Sequence, residues 1–142
     1  MKIAVSACLL GKLCRYDGAT KQNDAVLEVL KGVEVIPFCP EDPVLGTPRE
    51  RISVIWSKEQ GYRLIGDVSG IEVSSAIKLE TQKLIDAHPD LDKIILKSKS
   101  PSCGISTTPI MNEKGALLCY DNGIAAQMLL EAFPKIDITD EL

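Results

Sequence analysis

The chain has 142 residues, of which 45% are hydrophobic, 25% are charged and 4% are aromatic, and its formal net charge is −4. Because a chain of this length buries about two thirds of its unfolded surface, we expect residues 1–142 to form a single domain. The acidic charge and the few aromatic side chains disfavour binding to nucleic acid, and no apolar run is as long as the ~18 residues of a membrane span. We therefore expect a cytoplasmic protein that acts on a small molecule, without a nucleic-acid or membrane partner. The oligomeric state stays open.

Four segments have the pattern of β-strands. Each is a short apolar or β-branched run bounded by turn residues, which is typical of strands covered on both faces. In chain order they are 2–7 (KIAVSA), 32–38 (GVEVIPF), 92–98 (DKIILKS) and 135–139 (KIDIT).

Helical periodicity is found between these strands. The predicted helices are 23–32, 69–90 and 121–134. Asn23 or Asp24 is expected to cap the first helix, and Pro89 is expected to end the second. Strands that alternate with helices predict an α/β fold with an open, mainly parallel, Rossmann-like sheet flanked by helices.

Two further segments interrupt this alternation. Residues 51–57 and 61–67 flank KEQG and predict an exposed β-hairpin inserted into the α/β fold. Residues 107–119 are expected to form a loop or a second hairpin that turns at Gly115.

Three of the five cysteines follow predicted strands. Cys8, Cys39 and Cys103 come after the first, second and third strands, although they are far apart in the sequence. Ligands of open α/β sheets bind at the carboxyl ends of the strands, so these positions favour a metal or catalytic site over three buried, inert thiols. Soft thiolates select an iron–sulfur cluster, zinc or cuprous copper.

The other cysteines and the histidine narrow the choice among an iron–sulfur cluster, zinc and copper. No CxxC pair is present, so a structural zinc site would have to recruit Cys14 as its fourth ligand. A 4Fe–4S cluster held by only three cysteines leaves one iron open, as catalytic metal sites do. The only histidine, His88, lies at a predicted helix end, which argues against a Cys–His enzyme.

Polar residues near these cysteines are candidates for catalysis and substrate binding. Glu41 lies two residues after Cys39 and could be a general acid or base, or a solvated acid. Arg49 and Arg51 follow closely and could hold an anion or form an ion pair with Glu41.

Ser100 and Ser102 flank Cys103 and could bind a sulfur or a substrate, or stabilise the turn. Arg15 and Tyr16 could form a wall of the pocket, or belong to a tight turn.

Three sequence blocks resemble a bacterial family that was long known as a domain of unknown function, whose characterised members are thiouracil desulfidases (TudS). The blocks are SACLLGKLCRYDG (6–18), CPED followed by TPR (39–49) and LKSKSPSCG (96–104). Their order and their spread along the chain make the resemblance specific. One departure is DPVLGTPR at 42–49, which is shorter and stiffer than the glycine-rich stretch usual in that family.

The resemblance implies a set of residue roles. Cys8, Cys39 and Cys103 would hold a 4Fe–4S cluster whose fourth iron has no protein ligand. Glu41 would be the catalytic carboxylate, and the catalytic serine would lie in SPSCG, with Ser100 favoured over Ser102. Cys14 and Cys119 would not be ligands.

The resemblance also implies an activity, namely non-redox removal of sulfur from a small thiocarbonyl compound such as a thiouracil, with release of sulfide. Arg15, Tyr16 and Arg49 are the weaker candidates for contact with this thiolated substrate. The alternative function is a non-catalytic module that binds zinc or an iron–sulfur cluster and acts in binding or sensing.

Overall fold

The computed structural model describes all 142 residues and contains two four-stranded sheets. The strands are β1 (Lys2–Ser6), β2 (Glu34–Phe38), β3 (Ile52–Ser57), β4 (Gly61–Gly66), β5 (Lys93–Leu96), β6 (Thr108–Met111), β7 (Leu117–Asp121) and β8 (Asp137–Asp140). Sheet A has the order β2-β1-β5-β8, and all its neighbouring strands are parallel. The predicted α/β fold with a mainly parallel sheet is confirmed.

Four α-helices connect the strands: α1 (Asp24–Val29), α2 (Asp42–Leu45), α3 (Ser74–Ala87) and α4 (Ile124–Ala132). The side chain of Asn23 caps α1 by accepting a hydrogen bond from Val26 N at 3.0 Å, as its sequence position predicted. The second predicted helix begins five residues later than expected. Residues 71–73 instead pair with β4, because Gly66 N donates to Ile71 O and Val73 N donates to Leu64 O, so their backbone is not available for a helix.

Sheet B contains both predicted hairpin segments. It has the order β4-β3-β6-β7, with antiparallel pairing inside each hairpin and parallel pairing between β3 and β6. The first hairpin is therefore not a separate exposed insertion, because Val54 and Leu64 are fully buried on one face of this sheet. The second segment forms a hairpin rather than a loop.

The hydrophobic core has three parts, and α3 and α4 contribute to two of them. Ile77 of α3 and Ile124 of α4 pack against sheet B, whereas Leu84 and Leu129 of the same helices pack against sheet A. The opposite face of sheet A is covered by α1, so both of its faces are buried. This double coverage explains the continuous apolar runs of the sheet A strands.

The strand order of sheet A determines where a ligand can bind. The chain passes from β1 to β2 on one side and later returns to β5 on the other side of β1. Such a reversal opens a crevice at the carboxyl ends of the strands. No helix is long and apolar enough to cross a bilayer; the single-domain organisation and the cytoplasmic location stay predictions.

Candidate active site

A cleft of about 830 Å³ opens at the carboxyl ends of the sheet A strands. It is formed by the segments that follow β1, β2 and β5, together with the carboxyl-terminal residues Glu141 and Leu142. Of the residues that the sequence analysis proposed for the site, all line this cleft except Ser102, Arg51 and Cys14. The structure therefore brings together side chains that lie up to 95 positions apart, Cys8 and Cys103 being the most distant ligand candidates.

The three predicted thiol ligands come from three different segments. Cys8 lies in a short 3₁₀ turn directly after β1, and Cys39 comes directly after β2. Cys103 is held by the loop after β5, where it is buried, whereas Cys8 and Cys39 are partly exposed. All three are free thiols that face one region of the molecule.

Burial and neighbouring ionisable groups raise the pKa values of two of these thiols. Burial raises the pKa of Cys103, and the neighbouring Glu41, Cys39 and Cys8 raise it further. Burial and then Cys39 likewise raise the pKa of Cys8, although Lys97 and Arg15 act in the opposite direction. The thiols of Cys8 and Cys103 are therefore protonated at neutral pH, and a cation that binds them must displace their protons.

The donor set has the chemistry of an iron–sulfur ligand set. Cys8, Cys39 and Cys103 supply three soft thiols around one cleft, and soft thiolates are the ligands that such clusters take. The structure brings no three His, Cys, Asp or Glu side chains close enough together to hold a single metal ion.

Cys14 and Cys119 lie outside this donor set. Cys14 is buried and does not line the cleft, and burial, followed by the effects of Cys39 and Cys8, raises its pKa to about 12. Its carbonyl oxygen lies 4.0 Å from the Cys39 sulfur. Cys119 is exposed on β7, in the other sheet.

Glu41 is a buried carboxylate with partners on both oxygens. Its Oε2 accepts a hydrogen bond from Ser102 Oγ at 2.9 Å, and its Oε1 lies 3.4 Å from Arg49 Nε. The side chains of Glu41 and Arg49 are 11% and 5% exposed. A buried charge needs such a counter-charge and hydrogen bonds, and Arg49 and Ser102 provide them.

The two serines of the SPSC turn have different environments. Ser100 lines the cleft, and its Oγ accepts hydrogen bonds from Ser102 N at 3.2 Å and Cys103 N at 3.0 Å. Ser102 is fully buried and bonds to Glu41. Ser100 thus stabilises the turn that presents Cys103, and Ser102 holds the carboxylate.

The loop that carries Arg15 and Tyr16 forms one wall of the cleft. The Arg15 guanidinium pairs with Asp17 at 3.6 Å, and the Arg51 guanidinium lies 4.6 Å from the centroid of the Tyr16 ring. Arg49 N donates to the Tyr16 carbonyl at 2.7 Å, which joins this wall to the segment after Cys39.

The sequence analysis did not identify four charged residues of the cleft, Lys21, Lys97, Lys99 and Glu141, of which the last and Lys97 form an ion pair. Lys97 Nζ lies 3.0 Å from Glu141 Oε2, and Glu141 also accepts a hydrogen bond from Ser98 N at 2.7 Å. The position of Lys97 directly after a strand was a usable signal, because that is where the carboxyl edge of the sheet begins. Glu141 gave no such signal, since it lies beyond the last strand.

A second cavity of about 510 Å³ lies between β4, α3 and α4. It contains none of the predicted site residues and no cysteine. In its wall, Tyr62 Oη donates a hydrogen bond to Asp121 Oδ2 at 2.6 Å, which joins the two hairpins of sheet B.

Fold and cleft define an α/β protein with a thiol-lined site at the carboxyl edge of a parallel sheet. The model of the 2-thiouracil desulfurase family matches residues 3–141. The chain belongs to this family of desulfidase enzymes, and the resemblance seen in its three sequence blocks is confirmed.

Two similar proteins span the whole chain. An uncharacterised protein of Bacillus subtilis (strain 168), YbbK, is 31% identical over 149 residues, which cover 99% of this chain and 97% of the relative. A solved structure of the [4Fe-4S]-dependent thiouracil desulfidase TudS is 29% identical and has a TM-score of 0.76, with 99% of this chain and 90% of the other chain covered.

Proposed function

We propose that this chain catalyses non-redox hydrolysis of the carbon–sulfur bond of a small thiocarbonyl compound such as a thiouracil. The reaction converts C=S and water into C=O and hydrogen sulfide, and no electrons are transferred. The observation that supports it most directly is the cleft in which three thiols and a buried carboxylate meet. Family membership supports the choice of a thiolated substrate.

Cys8, Cys39 and Cys103 are the proposed ligands of a 4Fe–4S cluster with one iron free of protein ligands. The dependence of TudS on a [4Fe-4S] cluster supports this cofactor. When bound, the cluster would supply a Lewis acid that polarises the carbon–sulfur bond. Zinc, the alternative, requires a fourth ligand; Cys14, whose thiol interacts with that of Cys39, is the candidate, and the metal content of the purified protein distinguishes the two.

Glu41 is the proposed general base. Its oxygens retain lone pairs beyond those that bind Ser102 and Arg49, so the carboxylate can accept a proton from an attacking water. Because it is buried beside the thiols, this proton transfer takes place away from bulk solvent. The proton acquired by Glu41 can then be passed to the departing sulfide.

The other cleft residues have roles in binding and orientation. Ser100 lines the cleft and is proposed to orient the substrate through its hydroxyl hydrogen, since its oxygen already accepts two backbone N–H groups. Ser102 is proposed to hold Glu41 and relay a proton. Arg15 and Tyr16 are proposed to contact the substrate from the opposite wall.

The test is anaerobic reconstitution of the protein with iron and sulfide, followed by measurement of sulfide release from 2-thiouracil, 4-thiouracil and a simple thioamide. Cys39→Ala is expected to abolish both iron incorporation and turnover. Glu41→Gln is expected to retain the iron and the visible absorption of the cluster but to lower kcat about 10²- to 10⁴-fold, the usual contribution of a general base.

The outcomes separate the proposal from its alternative. Stoichiometric zinc bound by four thiolates, with no sulfide release, would indicate the non-catalytic module. Normal turnover by Glu41→Gln would remove Glu41 from the mechanism while leaving the cluster assignment intact.

A further inference from the structure

The Arg49 guanidinium is enclosed by acceptors of this chain. Besides its contact with Glu41, its Nη1 donates to Gly46 O at 3.0 Å and to Thr47 Oγ1 at 2.9 Å. Its Nη2 donates to Cys14 O at 2.9 Å. Four of the five N–H groups of an arginine are therefore used within the protein, and the side chain is only 5% exposed.

From this geometry we infer that Arg49 is a positioning residue, which fixes the carboxylate of Glu41 and does not bind the substrate. The inference rests on the proposed function, in which Glu41 is the base. The sequence suggested Arg49 as a weak candidate for substrate contact, but its hydrogen bonds leave little capacity for a ligand. The function of Arg49 is instead to define where the carboxylate lies.

Glu41 is held between two groups that approach from different segments. Arg49 contacts Oε1 and Ser102 contacts Oε2, so the carboxylate plane cannot rotate without losing one partner. Arg49 is the only Lys or Arg side chain within 4.0 Å of Glu41. Without it, the buried carboxylate would lack its counter-charge.

The same guanidinium links the segment of the first sequence block to that of the second. Its bond to the Cys14 carbonyl fixes the loop that follows Cys8, and its bonds to Gly46 and Thr47 fix the segment that follows α2. These bonds diverge in the plane of a guanidinium fork, and a lysine ammonium cannot reproduce them. Arg49→Lys therefore keeps the positive charge but loses the diverging hydrogen bonds of the guanidinium.

The arginine of sheet B, Arg63, serves as the control. It lies on β4, outside the cleft, and its Nη1 is 3.9 Å from Glu72 Oε1. It forms no ion pair with Glu41. Arg63→Lys is thus the matched control, because it makes the same chemical change on an arginine that neither holds the carboxylate nor touches the proposed substrate contacts.

The kinetic test compares Arg49→Lys with Arg63→Lys in protein reconstituted with iron and sulfide. Arg49→Lys is expected to lower kcat about 10- to 100-fold, as changes to outer-shell partners do, with KM and iron content unchanged. In the Glu41→Gln background, the same change is expected to have no further effect on kcat. A raised KM with unchanged kcat would show that Arg49 binds substrate and would overturn the inference.

Protein stability tests the contact between Arg49 and Glu41 without any measurement of catalysis. A double-mutant cycle of Arg49→Met and Glu41→Gln, followed by thermal unfolding of the four proteins, is expected to be non-additive because the two side chains contact each other. Additive effects would overturn the inference. If no thiolated compound is desulfurated by the wild-type protein, the proposed function fails, and this cycle still decides whether Arg49 holds Glu41.

Discussion

Sheets A and B each have four strands and pack against the same two helices, yet only sheet A has a cleft lined by thiols. The difference follows from strand direction. In sheet A all four strands are parallel, so the segments that leave them meet at one edge. In sheet B, two of the three strand pairs are antiparallel, so its loops are divided between two edges.

Helix α4, which packs against both sheets, also contacts the cleft of sheet A. Its amino-terminal end lies against the turn that carries Cys103: Ala125 N and Ala126 N donate to Ser102 O, and Gly123 N donates to Gly104 O. The helix is thereby part of the site although it contributes no catalytic side chain. The hairpins of sheet B have no equivalent role in the cleft.

Among the changes that test this difference between the sheets, the largest effect is expected for Gly123→Ala. A Cβ at this position would lie 2.4 Å from the carbonyl carbon and oxygen of Ser102, so the backbone of the SPSC turn would have to move. We expect an activity loss of about 10- to 100-fold, of the size seen when the support of a metal ligand is removed. Iron content after reconstitution and the rate of sulfide release measure it.

Gly115→Ala is the matched control in sheet B. Gly115 has a φ of +83° and open space around its Cα, so alanine there is strained but meets no neighbour. We expect a loss of about 1–2 kcal/mol in stability and no change in iron content. Equal losses of iron in both variants would contradict the proposed link between α4 and the site.

The sequence predicted the elements that follow from local pattern. Cys8 and Cys39 were assigned to one site because each follows an apolar strand, and the carboxyl edge of a parallel sheet is a general feature of the fold. The Ser102–Gly123 contact could not be predicted in this way, because it depends on how a helix docks against a turn. The parallel pairing of Val54 with Ile110 was equally inaccessible, since alternating patterns do not specify a partner strand.

Replacing one buried leucine in each sheet by alanine tests whether the cores of sheets A and B differ in their effect on the site. Leu64 of β4 and Leu96 of β5 are both fully buried. Replacement of either by alanine is expected to cost about 2–5 kcal/mol of unfolding free energy, measurable by urea denaturation. Only Leu96→Ala is also expected to lower iron content, because Leu96 belongs to the same packed cluster as Cys103.

A smaller effect than that of the core truncations is expected at Glu141, at the outer edge of sheet A. Burial alone would raise its pKa, but the hydrogen bonds from Ser98 N and Lys97 Nζ outweigh burial and lower it. A carboxyl whose pKa is lowered on folding stabilises the protein above its unfolded pKa of about 4.3, and this contribution is lost as the pH falls through the lower folded value. Glu141→Gln is thus expected to cost about 1–3 kcal/mol at pH 7, with the difference from wild type disappearing in acid.

Glu28→Gln is the control, because its ion pair with Lys31 is exposed and contributes little. The stability difference between Glu141→Gln and wild type should depend on pH. If it is the same at neutral and acidic pH, the ionised carboxylate of Glu141 does not stabilise the contact with Lys97 and Ser98.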